Sequence, residues 1–212
     1  MSRFLIGLLI LMSACTQQPR NLLDDGIPLT MAAYRTMQVS DVNYDLQFEL
    51  PREKSKPIKS ELTLSLTIND LTQPLYLDFN EEWEHILSLA ANDEAIPIDH
   101  QQEHLIISEK YLKEGVNKIF IKFLAGELSL NRNEDFMYTL LVPDRASTLF
   151  PCFDQPDIKA TYDLTVKAPK DWKVSSAAPL KNQIEEDGNT IHQFETSPAI
   201  STYLFSFVAG NF

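Results

Sequence analysis

The chain has 212 residues, of which 44% are hydrophobic and 23% charged, ordinary proportions for a globular protein with a sizeable core. Its formal net charge is −12. That excess of acid argues against a nucleic-acid or anionic-membrane surface as partner, because like charges repel.

Taken in order, the chain opens with Arg3, an apolar run from Phe4 to Met12, and then Ser13, Ala14 and Cys15. A charged start, an apolar stretch too short to span a bilayer and small residues before a cut predict an export signal over 1–14. Leu11-Met-Ser-Ala-Cys15 resembles a bacterial lipoprotein box, with Met12 where leucine is usual. The resemblance implies lipidation of Cys15 and anchoring to a membrane of the bacterial cell envelope; the plainer reading is an ordinary signal peptide with an incidental cysteine. Residues 15–33 then read as a lipid-anchored polar tether, and 34–212 as one folded domain. With Cys15 lipidated, Cys152 has no partner for an internal disulfide.

Val42, Tyr44, Leu46, Phe48 and Leu50 alternate with polar residues, as do Leu62, Leu64, Leu66 and Ile68; each run predicts a strand with one buried face. A third strand is expected over 75–79. Residues 81–89 fit either a helical start or a strand. Short strands are expected at 96–98 and 105–107, another over 116–123, and a loop at 131–135 before the apolar 136–142. Farther on, 172–174 reads as a strand, 185–189 as a hairpin turn and 191–195 as its return. The last stretch, 203–208, is apolar on both faces, which predicts a central strand. This density of strands indicates an all-β sandwich.

The middle of the chain is different. Pro143, Pro151 and Pro156 each remove a backbone donor and bias the preceding residue toward extended geometry. Phe150, Cys152 and Phe153 between them are expected to be buried, and Asp154 and Asp157 to accept backbone N–H groups. The stretch reads as a rigid, irregular corner from which 159–166 leaves as a strand.

This corner carries a family likeness. Phe150-Pro-Cys-Phe-Asp-Gln-Pro-Asp-Ile-Lys-Ala160 resembles the F-P-C-F-D-E-P-x-x-K-A signature of the aminopeptidase N family of zinc metallopeptidases. Ser197-Pro-Ala-Ile-Ser-Thr-Tyr-Leu-Phe-Ser-Phe-Val-Ala-Gly-Asn-Phe212 is similar to a second stretch of that family, in the same order and at about the same spacing. The resemblance, over roughly 36–212, implies the family's N-terminal domain, a saddle-like β-sandwich of antiparallel and mixed strands. It gives Arg145, Phe150, Pro151, Cys152, Phe153, Asp154, Gln155, Pro156, Lys159 and Ala160 a structural role.

The family's catalysis needs a helical H-E-x-x-H with a downstream glutamate, so that two histidines bind zinc and a carboxylate activates water. Neither that motif nor the family's G-x-M-E-N loop occurs in these 212 residues. The resemblance therefore implies a non-catalytic domain with no cofactor of its own, zinc belonging to a catalytic domain absent here. That domain would be the partner, with a peptide substrate bound only in the complex. The chain would be a fragment or half of a split enzyme, inactive alone. The rival reading is a free-standing envelope lipoprotein that reuses the fold as a binding module.

Other candidates have plainer explanations. His100-Gln-Gln-Glu103-His104 fits an inverted zinc motif, but its apolar flanks predict a solvated hairpin turn rather than the helix that chemistry needs. His85 and His192 lack nearby ligand partners in the sequence. Cys152 reads as a small buried hydrophobe. Asp144 with Arg145, or Asp157 with Lys159, is expected to pair at the corner. In the family, a Gln or Glu shortly before the signature helps bind the substrate's free amine. Counting back lands on Leu141 or Val142, with Thr139 nearby, none of which can do this. Tyr138, Thr139, Leu141 and Val142 are left as the strand expected to face the cleft.

Overall fold

A computed structural model describes residues 22–24 and 26–212. Its first element is α1 (Leu29–Gln38), the single α-helix among the described residues. This corrects the tether reading of 15–33: residues 29–33 are helical, and Leu22, Met31 and Tyr76 form a small apolar cluster. Cys15 and the export signal lie outside the described residues. The helix escaped apolar pattern reading because two of its three buried residues are polar: Met31, Arg35 and Gln38 form the inward stripe, at the i, i+4, i+7 spacing of one helical face.

Strands β1 (Val39–Glu49), β2 (Lys59–Ile68) and β3 (Leu75–Asp78) follow as the alternation predicts. The ambiguous stretch resolves into a short 3-10 turn, Trp83–His85, and strand β4 (Ile86–Ala91). The expected strand at 96–98 is not one. Pairing falls instead on β5 (Glu94–Ala95) and β6 (His100–Gln101), ahead of β7 (His104–Ile107). Then come β8 (Gly115–Leu124), β9 (Leu130–Arg132) and β10 (Phe136–Thr139), so part of the loop expected at 131–135 is strand. After the corner run β11 (Ala160–Pro169), β12 (Lys173–Ser176), β13 (Leu180–Glu186), β14 (Asn189–Phe194) and β15 (Phe207–Gly210). The strand expected over 203–208 starts only at Phe207. A 3-10 turn, Thr202–Leu204, precedes it, with Leu204 half exposed.

The strands form three sheets: eight in the order β13-β14-β11-β1-β2-β8-β4-β5, four in the order β12-β15-β10-β9, and three in the order β3-β7-β6. Among the described residues only β1 and β11 run parallel, with Tyr44 beside Tyr162 and Leu46 beside Leu164. The large sheet turns its apolar face inward through Tyr44, Leu46, Phe48, Leu62, Leu64, Ile119 and Ile121, all at most 2% exposed. The smaller sheets close over it. Phe207 of β15 lies 5.3 Å from Phe48, and Phe79, just past β3, lies 6.0 Å from Phe123. The outcome is an all-β sandwich of mixed and antiparallel sheets around a large apolar core, with the small cluster under α1 beside it.

Candidate functional site

The proline-rich corner lies where helix α1, strand β3 and the central strands β1 and β11 meet. Cys152 and Asp78 form a two-bond bridge, Asp78 N to Cys152 O at 2.7 Å and Cys152 N to Asp78 O at 3.0 Å. Phe153 N–H donates to the Tyr44 hydroxyl at 2.9 Å, and Thr202 Oγ1 donates to Phe153 O at 2.8 Å. Ser201 Oγ donates to Pro156 O at 2.7 Å. Gln155 Nε2 reaches back to α1, donating to Ala32 O at 3.0 Å and to Thr36 Oγ1 at 3.2 Å. Aromatic rings fill the space beneath. Tyr44 stacks on Tyr162 at 5.1 Å, Tyr162 on Phe205 at 4.9 Å, and Phe150 meets Tyr44 edge-on at 6.0 Å. A chain that lacks helix or ladder bonds here thus satisfies its buried backbone groups with side chains.

The electrostatic centre of the corner is Asp78. Its carboxylate accepts from Arg35 Nη1 at 2.9 Å and Nη2 at 2.6 Å, and from Asp154 N–H at 2.9 Å. His104 Nδ1 stands 2.9 Å away, an electrostatic contact not aligned as a hydrogen bond. Burial pushes the Asp78 carboxyl up, but the Arg35 charge, His104 and the Asp154 N–H outweigh it and hold the carboxyl below its ordinary range. Asp154 behaves oppositely: burial raises its carboxyl, opposed by hydrogen bonds from Ser147, whose N–H donates at 2.9 Å, and reinforced by Asp78 and Asp144. Burial, with Asp154 and Asp78 nearby, raises the Cys152 thiol well above its ordinary value; this thiol is a poor nucleophile.

The sequence candidates divide as follows. Phe150, Pro151, Cys152, Phe153, Asp154, Gln155 and Ala160 are buried at the corner, whereas Pro156 and Lys159 are exposed and Arg145 half-buried. The expected pairings of Asp144 with Arg145 and of Asp157 with Lys159 do not form; Asp157 instead accepts from Thr36 Oγ1 at 3.1 Å. His100 and His104 sit on opposite strands of a hairpin turned by Gln102 and Glu103, both in the left-handed region. The fully solvated turn reading is wrong for His104, which is 1% exposed and whose Nε2 lies 2.9 Å from Gly26 O. His100 Nε2 faces Phe79 O at 2.8 Å. His192 is also buried, with Nδ1 3.0 Å from Gln183 Nε2. Among the described residues no group of three or more His, Cys, Asp or Glu side chains converges as a metal site, so no zinc step is derived from this chain. Arg35, Tyr44, Asp78 and Ser147 complete the corner from outside the proline-rich signature.

Strand β10 and its exit divide by parity. Met137, Thr139 and Leu141 point inward, while Phe136, Tyr138, Leu140 and Val142 are 37%, 39%, 50% and 54% exposed. Of the four residues expected to face a cleft, Tyr138 and Val142 are thus on the outer face and Thr139 and Leu141 are not. Phe136 and Tyr138 stack at 6.3 Å, and Tyr138 pairs with the half-buried Val208 of β15. The Val142–Pro143 peptide at the end of this stripe is cis.

Two clefts stand out. One of about 480 Å³ opens at the corner, beside Asp78, His104 and Asp154. The larger, about 830 Å³, lies among the turns at 49–59, 169–171 and 188–189. There Arg52 pairs with Asp171, Lys56 with Glu53 and Lys170 with Glu185, so those charges are mutually satisfied and away from the corner.

The family described as "Peptidase M1 N-terminal domain" matches residues 40–204. The leucyl aminopeptidase of Saccharolobus solfataricus is 42% identical over 67 residues, 32% of this chain and 8% of that protein. Leucine aminopeptidase 2 of Aspergillus niger is 23% identical over 206 residues, 87% of this chain and 33% of that one. Among solved structures, an M1 zinc metallopeptidase from Deinococcus radiodurans superposes with a TM-score of 0.67 at 19% identity, over 82% of this chain and 42% of its own. Legionella pneumophila aminopeptidase A in complex with aspartic acid gives a TM-score of 0.74 at 25% identity, over 82% of this chain and 22% of its own. The chain therefore matches less than half the length of each of these relatives.

Proposed function

Because the chain belongs to the Peptidase M1 N-terminal domain family, we propose that it is the non-catalytic β domain of a zinc aminopeptidase, packed against a catalytic domain and walling one side of the substrate cleft. The observation that carries this reading is the outer face of β10. Along this strand and its exit, Phe136, Tyr138, Leu140 and Val142 leave a continuous row of apolar side chains in solvent, and contiguous apolar rows mark contact surfaces. The parent reaction would be release of N-terminal residues from peptides, with the metal and the water-activating base supplied by the partner domain. Export and a lipid anchor on Cys15 belong to the same proposal and rest on residues 1–15 alone.

The test is reconstitution. The purified chain with zinc should not hydrolyse an aminoacyl reporter. Its cognate catalytic domain, made separately, should bind it and hydrolyse the reporter faster in its presence. Chelator-sensitive turnover by the chain alone would overturn the proposal, and so would a monodisperse chain that ignores the catalytic domain. The latter result would favour the free-standing binding module.

A further inference from the structure

The stretch ahead of α1 is docked on the sandwich rather than free. Leu75 and Leu77 of β3 and Leu105 and Ile107 of β7 face the main core. Alternation therefore turns Tyr76 and its neighbour Ile106 to the other side of the three-stranded sheet. Leu22 and Met31 cover that side in one cluster with Tyr76, and they are 5% and 0% exposed. The main chain of the stretch is held as well: His104 Nε2 lies 2.9 Å from Gly26 O and 3.2 Å from Asp24 O.

Residues 16–21 alone separate Cys15 from the docked Leu22, a length that reaches at most about 25 Å at full extension. The body is longer than that. Strand β11, Ala160–Pro169, runs about 30 Å at about 3.3 Å per residue. Its start pairs with β1, which follows directly on α1. Its end adjoins the β13–β14 turn, where Lys170 N–H donates to Gly188 O at 3.1 Å. The α1 side and the turn at 187–188 thus lie toward opposite ends of this strand.

We infer that the docked stretch is a short strap that turns the side formed by α1, β3 and β7 toward the bilayer and the 187–188 turn away from it, which rests on the lipid anchor on Cys15 proposed above. The bilayer is met through the anchor and not through charge, because a net charge of −12 gives the body no attraction to anionic lipid. Leu22 and His104 set the orientation, since they fix the point at which the tether leaves the body.

The experiment takes the chain from Cys15 onward and couples that thiol to a maleimide lipid in phosphatidylcholine nanodiscs that also carry a gadolinium-chelating lipid. Cys152 is 0% exposed and stays unlabelled. The anchor is imposed by chemistry, so the outcome does not depend on whether cells attach lipid there; the mass of the protein from cell envelopes tests that separately. Amide NMR signals of Leu22, Tyr34 and Ile106 should broaden several-fold more than those of Asp187 and Gly188. A flexible Gly-Ser insertion between Asn21 and Leu22 lengthens the tether without touching the fold and should shrink this contrast. Leu22→Asp, which removes the apolar contact of the strap, should shrink it too. Equal broadening at the two ends, or stronger broadening at the turn, would overturn the inference. So would an undiminished contrast in the chain with the insertion, because a surface of the body rather than the strap would then set the orientation.

Discussion

Arg35 and Asp78 are joined by two hydrogen bonds, at 2.9 and 2.6 Å, where neither side chain meets solvent appreciably. The pair fastens α1 to β3, and Asp78 passes the connection on to the corner through the Asp154 N–H. A buried ion pair of this kind adds little net stability over an apolar pair, but it is costly to break from one side. Arg35→Met should therefore destabilise the chain by about 3–5 kcal/mol, the cost of leaving a buried carboxylate without its cation. Urea unfolding followed by tryptophan fluorescence checks this; a loss under about 1 kcal/mol would mean that water or His104 compensates Asp78.

The two acids of the corner give opposite pH dependences. The folded state lowers the Asp78 carboxyl; its stability contribution is full above the unfolded value, about 3.9, and fades as pH falls through the lower folded value. The folded state raises Asp154; its contribution is full below the unfolded value and is lost as pH rises through the higher folded value. Ionised Asp154 is therefore a burden at neutral pH. Asp154→Asn should raise the melting temperature at pH 7, and the gain should vanish in acid below both Asp154 values. A variant less stable than the parent at pH 7 would show that the Ser147 bonds need the full charge.

Much of this fold is legible as period-two alternation, because β1, β2 and β8 each bury one face of the large sheet. The corner is legible from its prolines, which deny both helix and ladder. What stays hidden is buried polarity. Arg35 and Gln38 occupy inward positions of α1 that apolar patterning leaves blank, and Asp78 ends the buried run Leu75–Asp78 as its one charged member. Each is explained by a partner distant in sequence, Asp78 for Arg35 and the Gln73 and Pro74 carbonyls for Gln38. No local window contains such pairs. His104 belongs with them: the turn at 102–103 is solvated, but the next residue turns inward to Asp78.

Gly210 ends β15 where that strand pairs with Phe136 of β10. A Cβ placed there would lie 2.6 Å from Phe136 Cβ and 2.8 Å from Asp135 O. The constraint is space rather than backbone angle, and part of it is main chain that cannot rotate away. Gly210→Ala should force β15 from β10 and cost about 1–3 kcal/mol, the usual range for overpacking. Hydrogen exchange should speed up at Tyr138 and Val208, which pair two residues along from the substitution. Unchanged protection there would mean that the strands adjust without parting.

The outer stripe allows surface and stability to be separated. Leu140 and Val142 are half exposed, and their neighbours Thr139 and Leu141 hold the inward face. Changing Leu140 and Val142 together to serine removes apolar area from water-facing positions and leaves the core untouched. Stability should then stay within about 0.5 kcal/mol of the parent, as for most surface substitutions. Binding of an apolar-sensing dye should fall, and association with the cognate catalytic domain should weaken by about tenfold or more if these residues lie near the centre of the contact. Sedimentation of the mixture reads the association, and urea unfolding reads the stability. Full association by the double variant would move the docking surface elsewhere on the sandwich. A large loss of stability would instead mean that the stripe supports the fold itself.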